Sequence, residues 1–305
     1  MWTIISTQCD FRWIALGLLI SIFSHVFRAM RWQIQLYALD VRPPLFITVL
    51  SIFGTYAVNL VLPRLGEFWR TGYIAERQKA SFTEVFGSMV CDRLADTVVV
   101  FLLLGATLFL ARDQVIDYLS QDPAMYDRLT ALVTSPWIWA AIILMILAIW
   151  AIFRFYPQSK PVRIVKNLAA GIWQGFIVIL KMRGKGRWLL FTFLIWFSYF
   201  IQLYVAFLAF PATSEVISDY GFTAVLVCFV LSSLAMAVPS NGGIGPYQWA
   251  LIFGLGMYSA GIPELTLDYS TSVANLILGA NTILLILLGI FTFIYITVDK
   301  RRNTH

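Results

Sequence analysis

The residues of this sequence that could do chemistry are a few charged side chains inside long apolar segments. An ionisable side chain at the centre of a membrane segment costs about 2.5–3.5 kcal/mol on insertion scales. Such residues therefore persist where they pair with one another or serve a site. Three charged groups and one glycine-rich turn meet this description.

The first group lies near the end of the apolar run Trp13–Leu39 and contains His25, Arg28 and Arg31. Their i, i+3, i+6 spacing places them on one inclined stripe of a helix. They could line a binding site, or the arginines could snorkel to the lipid headgroups, as long cationic side chains do. Trp32 next to them indicates a depth near the membrane interface.

The second group surrounds Pro63 and contains Asn59, Arg64, Glu67 and Arg70. If a helix resumes after the proline, the last three recur at i+3, so each cation can pair with the carboxylate. One acid against two arginines leaves a positive surplus, which suits a phosphate because the planar guanidinium binds it bidentately. The alternative is a surface network that satisfies itself.

The third group is Asp92, Arg93 and Asp96, within the apolar run Val85–Ala111. The two aspartates share a helix face at i, i+4, where like charges repel. Arg93 or an arginine of the Pro63 segment could compensate them, or one carboxylate could be protonated. A carboxylate that takes up a proton at membrane depth is a candidate for proton coupling. For Asp96, a structural ion pair is the alternative.

The glycine-rich turn follows Pro239 and offers mainly backbone donors. Successive backbone N–H groups can form an anion-binding nest, and a helix starting near Pro246 would direct its positive end toward it. Proline stops a helix and glycine permits left-handed backbone, so this turn and the Pro63 segment both predict helix breaks. The candidate ligands here are Ser240, Gly242, Gly243 and Gly245, with Asn241 and Gln248 beside them.

Composition defines the elements that must position these groups. The chain is 60% hydrophobic and 12% charged, whereas soluble domains average roughly 25% charged residues. A spanning helix needs about 20 apolar residues, and the links between the apolar runs are too short to fold alone. We therefore predict one all-α, polytopic membrane domain over residues 1–305. The runs are Trp13–Leu39, Leu45–Leu62, Val85–Ala111, Trp137–Tyr156, Trp188–Phe210, Phe222–Val238, Trp249–Ala260 and Val273–Val298.

The residue types that are present also exclude several classes of function and indicate the orientation of the chain. The three cysteines and two histidines show no metal-ligand spacing, and no phosphate-binding loop of the ATPase type is present. We expect no cofactor, no metal and no nucleic-acid partner. Eight basic residues and no acid lie between Arg154 and Arg187, and the tail contains Lys300, Arg301 and Arg302. Short basic links stay cytoplasmic, so the C-terminus is predicted to be cytoplasmic in a bacterial inner membrane.

The same rule, that basic links stay cytoplasmic, predicts how the chain passes through the membrane. Both flanks of Leu45–Leu62 are basic and both flanks of Phe222–Ala260 are acidic, which predicts two re-entrant hairpins, one from each side. Interrupted segments at matching places in two halves point to a transporter's binding site. The inverted repeats would be residues 13–111 and 188–298, joined by a linking helix over 137–156 and an interfacial helix over 161–180. In the rival threading every run spans the membrane and the breaks are ordinary loops.

At these residues the sequence resembles the lysylphosphatidylglycerol synthase transmembrane family, also called flippase-like domain proteins. The resemblance covers nearly the whole chain, and its most specific part is the Asn–Pro–Arg–Gly–Glu–Arg stretch. The segments that carry it are Arg28-Ala29-Met30-Arg31-Trp32, Asn59-x-x-x-Pro63-Arg64-x-Gly66-Glu67-x-x-Arg70, Asp92-Arg93-x-x-Asp96 and Pro239-Ser240-Asn241-Gly242-Gly243-Ile244-Gly245.

The resemblance implies movement of a lipid across the bilayer. The expected function is translocation of an anionic lipid, a phospholipid or a polyprenyl-phosphate-linked one, whose phosphate the intramembrane arginines bind. The alternatives are an intramembrane enzyme acting on a lipid phosphate and a non-catalytic subunit of an envelope assembly; a protein partner or a homo-oligomer is compatible with each. The sequence departs from the family's usual glutamate at Asp92, proline at Asn241 and glutamate at Gln248. A further apolar helix also normally precedes Trp13.

Overall fold

The computed structural model describes residues 2–121, 127, 131, 134–156, 158–159, 162–163, 166, 173 and 182–303. Within this part of the chain every regular element is helical, as the sequence predicts. The helices are α1 (Trp2–Gln8), α2 (Phe11–Tyr37), α3 (Leu45–Val61), α4 (Leu65–Gln78), α5 (Phe82–Leu110), α6 (Arg112–Gln121), α7 (Pro136–Phe155), α8 (Lys185–Leu208), α9 (Pro211–Ala235), α10 (Pro246–Gly256) and α11 (Leu267–Asn303).

Six of these helices, α2, α5, α7, α8, α9 and α11, are long and apolar enough to cross a membrane. The prediction of a polytopic membrane protein is confirmed. Two acidic links between the apolar runs are themselves helical: the segment with Asp113 and Asp117 forms α6, and the segment with Glu215 and Asp219 forms the start of α9. Gly221, at φ 70° and ψ −164°, breaks that helix into two parts. The predicted interfacial helix at 161–180 lies almost wholly outside the described residues.

The first helix break produces a tight pair of helices. Pro63 ends α3, and α4 begins two residues later. A Cβ on Gly66 would lie 2.1 Å from the carbonyl oxygen of Thr55, so only glycine allows α3 and α4 to approach this closely. The left-handed residue of the turn is Arg64, at φ 66°, and a non-glycine residue in this region stores backbone strain of about 1–3 kcal/mol.

The second helix break forms a similar pair from the later part of α9 and from α10. Gly242, Gly243 and Gly245 all have positive φ, between 63° and 93°, which confirms the predicted left-handed backbone. The helix α10 starts at Pro246, as expected from the ring's fixed φ and missing donor. A Cβ on Gly254 would lie 2.9 Å from the Cys228 sulfur, so glycine again permits close packing of the two helices.

The two breaks contact each other. Arg64 Nη2 donates hydrogen bonds to the carbonyl oxygens of Met236 at 3.2 Å and Ala237 at 2.7 Å. A Cβ on Gly242 would lie 2.5 Å from Leu60 Cδ2, so the glycine turn rests on the end of α3. The interrupted segments of the two halves therefore meet in one region of the bundle. That the hairpins are re-entrant, and that they form inverted repeats, stays a prediction.

Candidate functional site

Four buried side chains form an ion-pair cluster between α2 and α5. Arg28 Nη1 donates a hydrogen bond to Asp96 Oδ2 at 2.7 Å and lies 3.6 Å from Asp92 Oδ2. Arg31 Nη2 lies 2.8 Å from Asp92 Oδ1, and its Nη1 lies 2.8 Å from Asp96 Oδ1. Each arginine thus bridges both aspartates. The four charges cancel, and this buried quartet fixes α2 against α5.

The quartet decides two alternatives left open by the sequence. Arg28 and Arg31 are 3% and 0% exposed, so the snorkelling alternative is wrong for them. The two aspartates are compensated mainly by these arginines of α2, and not by the Pro63 segment. Arg93 contributes one long contact of 3.9 Å from its Nη1 to Asp96.

Helix α8 supplies the remaining contacts of the quartet. The Tyr199 hydroxyl accepts hydrogen bonds from Arg28 Nε at 3.3 Å and Nη2 at 3.2 Å. Arg31 donates to Thr192 Oγ1 at 3.5 Å and lies over the ring of Trp188, 5.8 Å from its centroid. The charged cluster is therefore enclosed by three helices, one of them from the second half of the chain.

A second ion pair connects α5 with the segment after the first break. Arg93 Nη2 donates to Glu67 Oε1 at 2.9 Å, and Asn59 Nδ2 donates to Glu67 Oε2 at 3.2 Å. Asn59 Oδ1 also accepts from the Gly66 N–H at 2.8 Å, which caps the start of α4. Glu67 is buried, whereas the Arg93 side chain is 32% exposed. This pair is the part of the cluster that a ligand can reach.

Arg70 is the side chain whose surroundings are most unusual. It is 0% exposed, and its guanidinium carbon lies 4.2 Å from the ring centroid of Trp32. None of its three guanidinium nitrogens has a hydrogen-bond partner among the residues described. A cation over an indole face gains about 2 kcal/mol when desolvated, whereas moving an unpaired ion out of water costs several kcal/mol. Arg70 is thus a buried cation in need of an anion.

The charges of the whole cluster do not balance. Arg28, Arg31, Arg70 and Arg93 give four positive charges, against three negative charges from Glu67, Asp92 and Asp96. The sequence also predicted a surplus of one positive charge, but it did so by pairing Glu67 with Arg64 and Arg70. Neither Arg64 nor Arg70 forms an ion pair with Glu67 in the described structure, because Arg93 of α5 takes that position.

The cluster lies deep in the helical bundle. Asp92 and Asp96 follow the first residue of α5 by about 15 and 21 Å, at 1.5 Å per helical residue. The hydrocarbon core of a bilayer is about 30 Å thick. A site at this depth must be reached from the side or from a cleft.

Comparison with known proteins agrees with this architecture. The family model described as the lysylphosphatidylglycerol synthase TM region matches residues 2–297. The chain belongs to this family. A search of curated proteins and a search of solved structures found no match.

Most of the predicted site residues of this lysylphosphatidylglycerol synthase TM region lie in one cluster. The glycine-rich turn after Pro239 is not part of that cluster. Arg64 is exposed, and its hydrogen bonds to the described residues go to the carbonyl groups beside that turn. Among the described contacts, no hydrogen bond or ion pair connects Ser240, Gly242, Gly243 or Gly245 with the four buried arginines.

The predicted anion nest at the glycine turn is only partly available. The Gly245 N–H donates to Gln248 Oε1 at 2.8 Å, and the Ile244 N–H donates to the Asn241 carbonyl at 3.2 Å. These donors are already used inside the turn. Gln248 also donates to Asn275 and so holds α10 to α11.

Two aromatic partners of the site were not predicted. Trp32 is fully buried under Arg70 and donates to Ser88 Oγ at 3.1 Å; its predicted depth near the membrane interface stays a prediction. Tyr199 has no distinguishing spacing among the aromatic residues of α8. Its hydrogen bonds with Arg28 in the folded protein identify it as a partner of the site.

Proposed function

We propose that this protein moves an anionic lipid between the two leaflets of a bacterial inner membrane, its headgroup phosphate being bound by Arg70 and Arg93. The single observation that carries this proposal is the fully buried, unpartnered guanidinium of Arg70. A cluster with one uncompensated positive charge is completed by one bound anion.

The residues around Arg70 provide a second binding group. Arg70 and Glu67 are one helical turn apart on α4, where side chains at i, i+3 are neighbours, and Arg93 pairs with Glu67 at 2.9 Å. The partly exposed Arg93 would therefore meet the phosphate first. A phosphate bound bidentately by Arg93 would compete with Glu67 for the same guanidinium, and Asn59 would still hold the released carboxylate.

The quartet has a different role in this proposal. Arg28 and Arg31 already bridge both aspartates, so they position α2 and α5 rather than bind the lipid. Arg64, at the contact of the two breaks, would guide the headgroup toward Arg93 while the lipid tails remain in the bilayer. Breaking a buried pair by removing one partner costs about 3–5 kcal/mol, which suits a fixed framework.

We also propose transport rather than chemistry on the lipid. Glu67, Asp92 and Asp96 are the carboxylates of the cluster, and each lies within 2.9 Å of an arginine nitrogen. A general base must reach the proton that it abstracts, and these carboxylates are engaged in ion pairs. The expected product is the unchanged lipid in the other leaflet.

The test is a transport assay in vesicles that contain the purified protein and a phosphatidylglycerol with a fluorescent headgroup-side label in one leaflet. We expect Arg70→Gln and Arg93→Gln each to slow its movement by about 10- to 100-fold, since a charge-assisted hydrogen bond contributes about 1.5–3 kcal/mol. Arg42→Gln is the matched control, because Arg42 is exposed and pairs only with Asp40. Undiminished transport in the Arg70→Gln, Arg93→Gln double variant, or a product of altered mass, would contradict the proposal.

A further inference from the structure

Helix α4 has a buried face and, on its opposite side, a half-buried face. Glu67 and Arg70 lie on the face toward α2 and α5. Trp69, Gly72 and Tyr73 lie on the opposite side, at i, i+3 and i+4, and face the last helix, α11. One cavity lies between this second face and α11, and a second, adjoining cavity lies between α3, the second turn and α11. Neither is lined by a residue of the arginine cluster.

The smaller cavity has a volume of about 310 Å³ and lies near the C-terminal end of α11. Its walls are aromatic. The rings of Trp69 and Tyr73 are stacked at 5.4 Å with 4° between their planes, and Phe293 meets Trp69 edge-on at 5.3 Å. A Cβ on Gly54 would lie 2.2 Å from the Trp69 ring, so α3 fixes this wall in place.

The rim of the smaller cavity is charged. The carboxylate of Glu76 lines it, is exposed, and forms no ion pair with any other described residue. Lys300 lines the cavity from α11. Aromatic faces attract cations, with estimates of about 0.5–2 kcal/mol for each contact, and a nearby carboxylate adds to that attraction. The cavity therefore suits an ammonium group.

The larger cavity is an apolar groove of about 590 Å³ that continues from the first cavity at Phe293. It is lined by Ala57 and Leu60 of α3, by Ile244 of the second turn, and by one face of α11 between Thr282 and Ile294. The stretch Thr282–Phe293 is about 17 Å long at 1.5 Å per residue. That length is close to half of the roughly 30 Å hydrocarbon core, which is the depth of one leaflet.

We propose that the two cavities together bind one amine-bearing phospholipid, with its ammonium group between Glu76 and the aromatic walls and one acyl chain along α11. The polar end lies where α11 ends, and the apolar groove runs from there toward the breaks. The bound lipid would therefore lie in the leaflet where α11 ends, with its headgroup at the membrane surface and its acyl chain directed toward the bilayer centre. The site does not depend on the proposed transport function, because it uses the other face of α4.

The groove also limits the class of the lipid. Phe293 borders both cavities, and the apolar lining on α11 extends over about 17 Å, which is about the depth of one leaflet. An acyl chain fits within this length, whereas a long polyprenyl chain would extend beyond it.

Native mass spectrometry of the detergent-purified full chain tests this proposal with two probes at equal concentration, dioleoyl phosphatidylethanolamine and dioleoyl phosphatidylglycerol. We expect one tightly held phosphatidylethanolamine, with affinity at least about tenfold higher than for phosphatidylglycerol. Gly72→Leu should lower that affinity about tenfold, because a Cβ at Gly72 meets nothing within 4 Å and the rest of the leucine side chain would occupy the cavity. Gly105→Leu is the matched control, since Gly105 also faces open space, on the exposed side of α5.

A second pair of variants separates the headgroup contact from the cavity itself. Glu76→Gln should remove the preference for phosphatidylethanolamine, whereas Glu84→Gln, at the exposed start of α5, should leave it unchanged. Equal affinity for both lipids in the wild type, or unaltered binding by both Gly72→Leu and Glu76→Gln, would overturn the proposal. Stronger retention of a polyprenyl phosphate than of either phospholipid would overturn the assignment of the lipid class.

Discussion

Replacing single arginines of the cluster by methionine should have opposite effects on stability. Methionine keeps much of the length and apolar contact of the arginine stem but removes the charge. Arg70→Met changes a cluster with four positive and three negative charges into a neutral one. Arg31→Met removes the nearest cation of Asp92, at 2.8 Å, and leaves it with Arg28 at 3.6 Å.

The magnitudes follow from these contacts. Arg31→Met should lower the free energy of unfolding by about 3–5 kcal/mol, the usual cost of breaking a buried ion pair by removing one partner. Arg70→Met forfeits a cation–π contact of about 2 kcal/mol and removes an unpaired ion whose burial costs several kcal/mol. The net change for Arg70→Met should be a gain of about 1–2 kcal/mol, together with a loss of transport.

Thermal unfolding of both variants in the same detergent, followed by tryptophan fluorescence, measures the two effects side by side. The transport assay in vesicles then reports on function. A variant that is more stable and inactive marks Arg70 as a residue kept for binding an anion. If Arg70→Met were instead destabilised as much as Arg31→Met, Arg70 would have a compensating partner and the reasoning would be refuted.

Two further substitutions test the packing of the site. Gly66→Ala should lower the free energy of unfolding by about 1–3 kcal/mol, since its Cβ would overlap the Thr55 carbonyl. Gly72→Ala, whose Cβ meets nothing within 4 Å, should be neutral or stabilising. Thermal unfolding of the two variants measures this difference, and equal stabilities would contradict the packing argument. Tyr199→Phe should cost about 1.5–3 kcal/mol by removing the acceptor of two Arg28 hydrogen bonds while transport is retained; a large loss of transport at normal stability would assign Tyr199 to the binding site instead.

Much of the fold could be predicted from the sequence because the membrane imposes strong rules. The sequence predicted eight apolar runs, and six of them lie in helices long and apolar enough to cross a membrane. The Pro63 and Pro239 segments predicted the two helix breaks. The acidic segment with Glu215 and Asp219 was predicted as a link and is helical. Charge alone indicates which side a segment faces, and does not prevent a helix from continuing through it.

The site could be predicted in its members but not in its pairings. Apart from Arg64, the charged residues of the three groups do assemble, because charged side chains at membrane depth have few alternatives to one another. The partners depend on which helix faces pack together, and one sequence does not contain that information. Spacing along α4 suggested that Glu67 pairs with Arg64 and Arg70, whereas Arg93 of α5 occupies that position.

The most direct measurement is an experimental structure of the protein in a nanodisc with phosphatidylglycerol bound. The account predicts a phosphate within hydrogen-bond distance of Arg70 and Arg93, with Glu67 released from Arg93 and the Arg28, Arg31, Asp92 and Asp96 quartet unchanged. A bound phosphate located elsewhere, with Arg70 still over Trp32 and the Glu67–Arg93 pair intact, would contradict it.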